Sequence, residues 1–160
     1  MIRAILSFVA EGVSTDRETD QVSAFRLLET VTSESYPVPI ARAAFLCLWE
    51  RDSTDPSRCR AELTITVEDQ EITPQTIDLD FGRFLRNRCV INIDGLVIGQ
   101  PGKAVFRLAI PGHGAAEWTL AAKTTAEAAM TGATGSTLRA PLYDSGQVSM
   151  SENSVAPPKR

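Results

Sequence analysis

Along most of this chain apolar and polar residues alternate with a period of two, the spacing of a strand with one face in a core and the other in water, and a helical period hardly occurs. In residues 61–67, Ala61, Leu63, Ile65 and Val67 fall on one side and Glu62, Thr64 and Thr66 on the other. Residues 76–81 set Ile77, Leu79 and Phe81 against Asp78 and Asp80. Residues 103–110 set Ala104, Phe106, Leu108 and Ile110 against Val105, Arg107 and Ala109, and residues 117–123 turn Trp118, Leu120 and Ala122 inward. Pro74 has no N–H to give a ladder, which predicts that the strand after it is short or that its first part lies at a sheet edge.

Residues 40–49 depart from the alternation. Phe45, Cys47 and Trp49 on one parity and Leu46 and Leu48 on the other are all apolar, so this strand is either covered on both faces or presents a face to a partner. Residues 2–9 and 89–93 show a milder form. Further strands are expected over residues 22–31 and, beyond a bend at Gly95, over 96–98. Polar or turn-forming stretches separate them: residues 14–20, 52–58 with Pro56, 68–70, Gln100-Pro101-Gly102 and Pro111-Gly112-His113-Gly114. Residues 84–88 suit a short helical turn. The pattern predicts an all-β fold, an antiparallel β-sandwich of about eight strands, with a C-terminal irregular tail.

Alanines in residues 125–130 predict one or two helical turns. Residues 132–160 are rich in Gly, Ser, Thr and Pro and carry too few large apolar groups to offset their chain entropy. They are expected to be a tail that is disordered or ordered only by a partner, with residues 138–143 as its docking patch. The organisation that follows is a β-sandwich domain over residues 1–123 and a C-terminal extension over 124–160.

Composition narrows the function classes. With 160 residues, 43% hydrophobic and 22% charged, the chain is sized for one soluble domain. A formal charge of −4 has the wrong sign for a nucleic-acid backbone or an anionic membrane. The acidity is uneven: residues 1–80 hold fifteen acidic and seven basic side chains, residues 81–160 five and nine. The apolar start is interrupted by Glu11 and followed by no small-residue cleavage site, so no secretory signal is expected, and no run is long enough for a membrane span. Three cysteines, Cys47, Cys59 and Cys89, show no paired spacing. A reducing cytoplasm is the expected location.

Candidate chemistry is sparse. His113 is the single histidine, and a turn with glycines on both sides is a poor mount for a general base that must be oriented by a third group. One histidine and three scattered cysteines do not make a zinc site. Carboxylates gather at Glu68, Asp69 and Glu71, at Asp78 and Asp80, and at Asp52 and Asp55, which would suit calcium only if the fold brought these turns to one end. Arg83, Arg86 and Arg88 form one basic cluster and Arg51, Arg58 and Arg60 another, with Trp49, Phe81 and Phe84 nearby but assigned mostly to the core. The stretch TGATGST at 131–137 lacks the lysine of a phosphate loop and follows no buried strand. No residue is assigned a catalytic, cofactor-binding or metal-binding role.

Residues 90–110, VINIDGLVIGQPGKAVFRLAI from Val90 to Ile110, resemble the N-x-x-G-L-x-F-x-x-P-G-x-Y-x-F-x-I core of an uncharacterised family of small bacterial β-sandwich proteins, a domain of unknown function. Asn92, Gly95, Leu96, Pro101 and Gly102 stand at the matching places, and Phe106 takes an alternating apolar position, while the aromatic that follows Pro-Gly in the family is absent. The opening is similar too, with Tyr36-Pro37-Val38-Pro39 leading into the apolar third strand. The resemblance covers about residues 2–123. It implies the fold and carries no catalytic residues.

The expectation is a non-enzymatic cytoplasmic β-sandwich, a protein-interaction or structural module that needs no cofactor. It would engage a protein partner or itself through exposed strand edges and the C-terminal tail, without nucleic acid or membrane. The alternative is a ligand-binding sandwich taking a cation, sugar or phosphate at its loop ends.

Overall fold

The computed structural model describes residues 1–131. Nine strands and one short helix occupy them: β1 (Arg3–Thr15), β2 (Val22–Leu27), β3 (Thr30–Ser33), β4 (Val38–Glu50), β5 (Arg58–Val67), β6 (Gln70–Asp80), β7 (Arg86–Ile98), β8 (Gly102–Ala109), β9 (Ala115–Thr124) and α1 (Thr125–Thr131). They build a four-stranded sheet A, order β2-β1-β4-β7, and a five-stranded sheet B, order β3-β9-β8-β5-β6. The fold is all-β. The expected tail and its patch at 138–143, and all but the first residue of TGATGST, lie outside the described residues.

The alternating positions do what their period requires. Ala61, Leu63, Ile65, Leu79, Phe81, Ala104, Phe106, Leu108, Ile110, Leu120 and Ala122 are buried in one cluster with Ala43, Phe45, Cys47 and Trp49 of β4. Both sheets therefore feed a single core. Across it the Phe45 and Phe106 rings, one from each sheet, lie 6.0 Å apart and tilted by 50°, a favoured aromatic geometry.

Several expectations are corrected. The predicted strand over residues 22–31 is two strands in different sheets, because β2 pairs β1 while β3 pairs β9. Leu28 between them drops into the core and Trp118 Nε1 donates to its carbonyl at 2.9 Å. The β3–β9 pairing is parallel, so sheet B is mixed where antiparallel pairing was expected. Residues 89–93 and 96–98 belong to one strand, β7, and residues 84–88 form no helical turn, since β7 begins at Arg86. The strand predicted over residues 2–9 runs on to Thr15. Pro74 lies within β6, whose register shifts opposite Leu63 and Ile65, and β6 is the edge of sheet B. The β5–β6 turn places Glu68 and Asp69 at φ 54° and 62°, the two left-handed residues of a type I′ hairpin.

Gly95 does more than bend its strand. Cys89, Ile91 and Ile93 pack on the core before it, and Leu96 and Ile98 after it, so the inward parity switches across Asp94 and Gly95. The φ of 78° at Gly95 makes this possible. Paired β4 switches at the same level: Ile40 and Ala43 are buried while Ala41 and Arg42 are exposed, and the register is unchanged on either side.

The β1–β2 hairpin forms an arm. β1 pairs with β4 from Arg3 only as far as Ala10, and beyond that it pairs with β2 alone. At this root Arg26 takes φ 53°. At the tip, Asp20 meets Arg88 on β7 at 2.6 Å. Arg88 pairs with Leu48, near the far end of β4 from where a straight hairpin would project. The arm is therefore folded back across sheet A, on the face away from the core.

Candidate functional site

Register and parity place the residues of that outer face in rows. Since Phe45, Cys47 and Trp49 point into the core, Ala44, Leu46 and Leu48 point out. Their partners share the face: Leu6, Leu48 and Arg88 make one row, Phe8, Leu46 and Val90 the next, and Leu27, Ala10, Ala44 and Asn92 the third. Phe25 opposite Gly12 continues it onto the arm. Ala10, Ala44 and Leu46 are buried although they stand outside the core cluster, Leu46 being 4% exposed. Toward the β2 edge the cover stops: Leu6 is 49%, Leu27 52% and Phe25 56% exposed. What remains is an apolar strip along β1 and β2 beside a buried floor.

One end of the face is ionic. Glu50 on β4 stands between Arg3 on β1 and Arg86 on β7, its register partners, and accepts from them at 2.6 and 3.0 Å. These hydrogen bonds, that of Arg3 first, hold the Glu50 carboxyl below its ordinary range. Arg88 closes the neighbouring row by donating to the Asp20 carboxylate and, at 3.1 Å, to its carbonyl.

The outer face of sheet B is built differently. Three directly opposed cross-strand pairs carry opposite charges: Arg58 with Asp80 at 2.8 Å, Arg60 with Asp78 at 3.5 Å and Arg107 with Glu117 at 3.1 Å. Such pairs suit a water-facing sheet. Set against it, the apolar outer face of sheet A stands out in composition.

The structure separates the residues singled out as candidate chemistry. His113 is tied to the N-terminal segment, where its Nδ1 accepts from the Ile2 N–H at 3.2 Å. Asp52 and Asp55 face the amino group of Met1 at 2.8 and 2.7 Å, Asp78 and Asp80 face arginines, and Glu68 accepts from the Gln100 N–H at 2.7 Å. Among the described residues no three His, Cys, Asp or Glu side chains are grouped as a metal would need. The basic clusters are divided as well. Arg58 and Arg60 lie on sheet B and Arg86 and Arg88 on sheet A, while Arg51 sits over the Phe81 ring and Arg83 over that of Phe84. Phe84 is exposed, against the expectation of a core position.

A cleft of about 760 Å³ is lined by Arg58, Arg60, Asp78, Asp80, Pro111 and His113, whose arginines and aspartates already satisfy one another. The cysteines remain free thiols. Cys47 and Cys89 are register partners, and burial pushes both thiols up, Cys47 most strongly, which disfavours the reactive thiolate. Sequence reasoning found Leu46 and Leu48 as a second apolar face but missed Phe25 and Leu27, which it placed in a strand without assigning a face. Compared with protein-family models the chain matches none, and compared with curated proteins it likewise matches none.

Proposed function

We propose that this protein is a non-enzymatic protein-interaction or structural module, a β-sandwich of sheets A and B of the kind its family resemblance implies, working in the cytoplasm. The observation that carries this reading is the contrast between its two outer faces. Sheet B is dressed with cross-strand ion pairs, while sheet A offers Leu6, Phe25 and Leu27 exposed beside Phe8 and the buried Leu46. Water-facing apolar area of this kind lowers its free energy by being covered, by roughly 25 cal/mol per Å². The fitting occupant is a protein surface of apolar, weakly charged character. The charges that line the largest cleft described above, Arg58, Arg60, Asp78 and Asp80, pair with one another, which gives a small charged ligand less to bind there.

The test is site-specific photo-crosslinking in the native host. A crosslinker at Leu27 is expected to give a discrete protein adduct that disappears when Leu6 and Phe8 are both replaced by lysine. One at Thr119, exposed on the outer face of sheet B, is expected to give none. Equal labelling from both positions, or an adduct indifferent to the lysines, would sink the reading.

A further inference from the structure

Sheets A and B have four edges: β2, β7, β3 and β6. Three are poor templates for another strand. β6 carries Pro74 and a register shift, β3 has only four residues, and β2 has six with Arg26 in a left-handed conformation. β7 is thirteen residues long and keeps one register with β4 throughout. Its segment Cys89–Ile93 carries no charge. Among the described residues, no backbone group of residues 88–98 bonds to anything but β4. The inward side chains of that segment, Cys89, Ile91 and Ile93, pack against the core yet stay half-buried. Beside them a cleft of about 240 Å³ opens between β7 and residues Leu63, Ile65 and Ile72 of sheet B.

We infer that the β7 edge pairs antiparallel with β7 of a second copy about a two-fold axis through Ile91. This rests on the interaction-module reading and names one partner for it. Charge and the inward row together select the register: centring on Val90 would also set Arg86 against Asp94, but it would place Asn87 against Ile93 in the inward row. Centred on Ile91, the pairing sets Val90 against Asn92, Cys89 against Ile93, and Arg88 of each copy against Asp94 of the other. Arg88 and Asp94 share the outer face by parity. Asp94 forms no ion pair among the described residues, while Arg88 bonds Asp20 through its two terminal nitrogens and leaves Nε without a partner. A two-fold centred on a residue matches outward N–H to outward carbonyl whichever parity points away from β4. The interface is isologous and closes on itself, so it consumes the edge without propagating. It joins the two copies of sheet A into one continuous sheet. Because the axis is perpendicular to that sheet, both apolar strips end on the same side, and one partner can meet two of them.

The experiment measures mass by light scattering and sedimentation on the full chain at tens of micromolar. Wild type is expected as a dimer. Arg88→Asp, which faces Asp94 of the other copy, and Asp94→Arg, which faces Arg88, are each expected to dissociate it at least tenfold more readily. The double variant Arg88→Asp/Asp94→Arg is expected to recover the dimer. Arg88 and Asp94 are too far apart on one strand to repair each other within a copy, and the double variant still sets a carboxylate at position 88 against Asp20, so recovery reports on the pairing between copies. Circular dichroism melts check that each variant folds.

A monomeric wild type overturns the inference, as does a dimer indifferent to the single reversals or a double variant that stays dissociated. A monomer in which the β7 amides that do not bond β4 also resist hydrogen exchange overturns it too, and assigns the edge to another strand such as residues 132–160. A monomer that still gives the Leu27 adduct ends this inference alone, whereas loss of that adduct ends the broader reading.

Discussion

Arg88 in β7 and Asp20 at the tip of the β1–β2 hairpin meet at 2.6 Å across 68 positions of sequence, with a second bond from Arg88 to the Asp20 carbonyl at 3.1 Å. The pair ties the arm down over the outer face of sheet A. The arm has few other anchors, since only Val13, Val22 and Gly12 among its paired residues are half-buried. Local opening draws on segments of this kind, with few buried contacts.

Replacing Asp20 by alanine is therefore expected to loosen the arm and spare the fold. Asp20 is largely exposed, so the pair contributes on the order of 0.2–1 kcal/mol and the melting temperature falls by no more than about 5 °C. Amide exchange at Val13 and Val22 should quicken while that of Phe106 and Leu120 does not change. Unchanged exchange in the arm would mean that the ion pair does not hold it.

The shared core makes a larger prediction. Phe106 is fully buried and touches Phe45 of the other sheet, so Phe106→Ala removes contacts that both sheets use. The expected cost is about 3–5 kcal/mol, seen as a lower urea midpoint at an unchanged slope. A cost under about 1 kcal/mol would show that the two sheets do not depend on this packing.

Acid should weaken the protein in a definite window. Hydrogen bonds from Arg3 and Arg86 lower the Glu50 carboxyl in the folded state, and the Gly82 N–H followed by Arg58 lowers that of Asp80. A depressed folded-state value means that the unfolded chain takes up the proton first, so the stabilisation is complete above the ordinary values of 4.5 and 3.8 and is lost as pH falls below them. Melting temperatures should be level from pH 7 to about pH 5 and then decline. Glu50→Gln should start lower at pH 7 and decline less steeply in acid. A parallel decline in the two proteins would remove Glu50 from the cause.

What the sequence could disclose divides along lines of range. The inward sets in β5, β6, β8 and β9 were legible because alternation is local, and burial of Ala61, Leu63, Ile65, Phe106, Leu108 and Leu120 follows it. The second apolar face of β4 was legible for the same reason. The crossing from sheet A to sheet B at Leu28 was not, because Phe25, Leu27 and Leu28 read as one apolar run and the left-handed turn at Arg26 has no glycine to announce it. The folding back of the arm depends on Asp20 and Arg88, and the triad at Glu50 on three strands. Pairings at such separation leave no local trace. The parity switch was half visible: Gly95 marked a bend, but the matching switch at Ala41 and Arg42 occurs without a glycine, level with the one in the paired strand.

The two tryptophans test how polar satisfaction weighs against burial. Trp49 is the more deeply buried, yet its Nε1 has no partner among the described residues. Trp118 is only half-buried, and its Nε1 donates to the Leu28 carbonyl at the crossing between the sheets. In Trp49→Phe the lost apolar area is offset by removal of an unsatisfied donor, so stability should stay within about 1 kcal/mol of wild type. In Trp118→Phe the carbonyl of buried Leu28 loses its partner, at a cost of about 1–3 kcal/mol. Area alone predicts the reverse order, because Trp49 buries more. Urea midpoints of the two variants decide between them, and a Trp49 variant clearly weaker than the Trp118 variant would show that packing outweighs the orphaned donor.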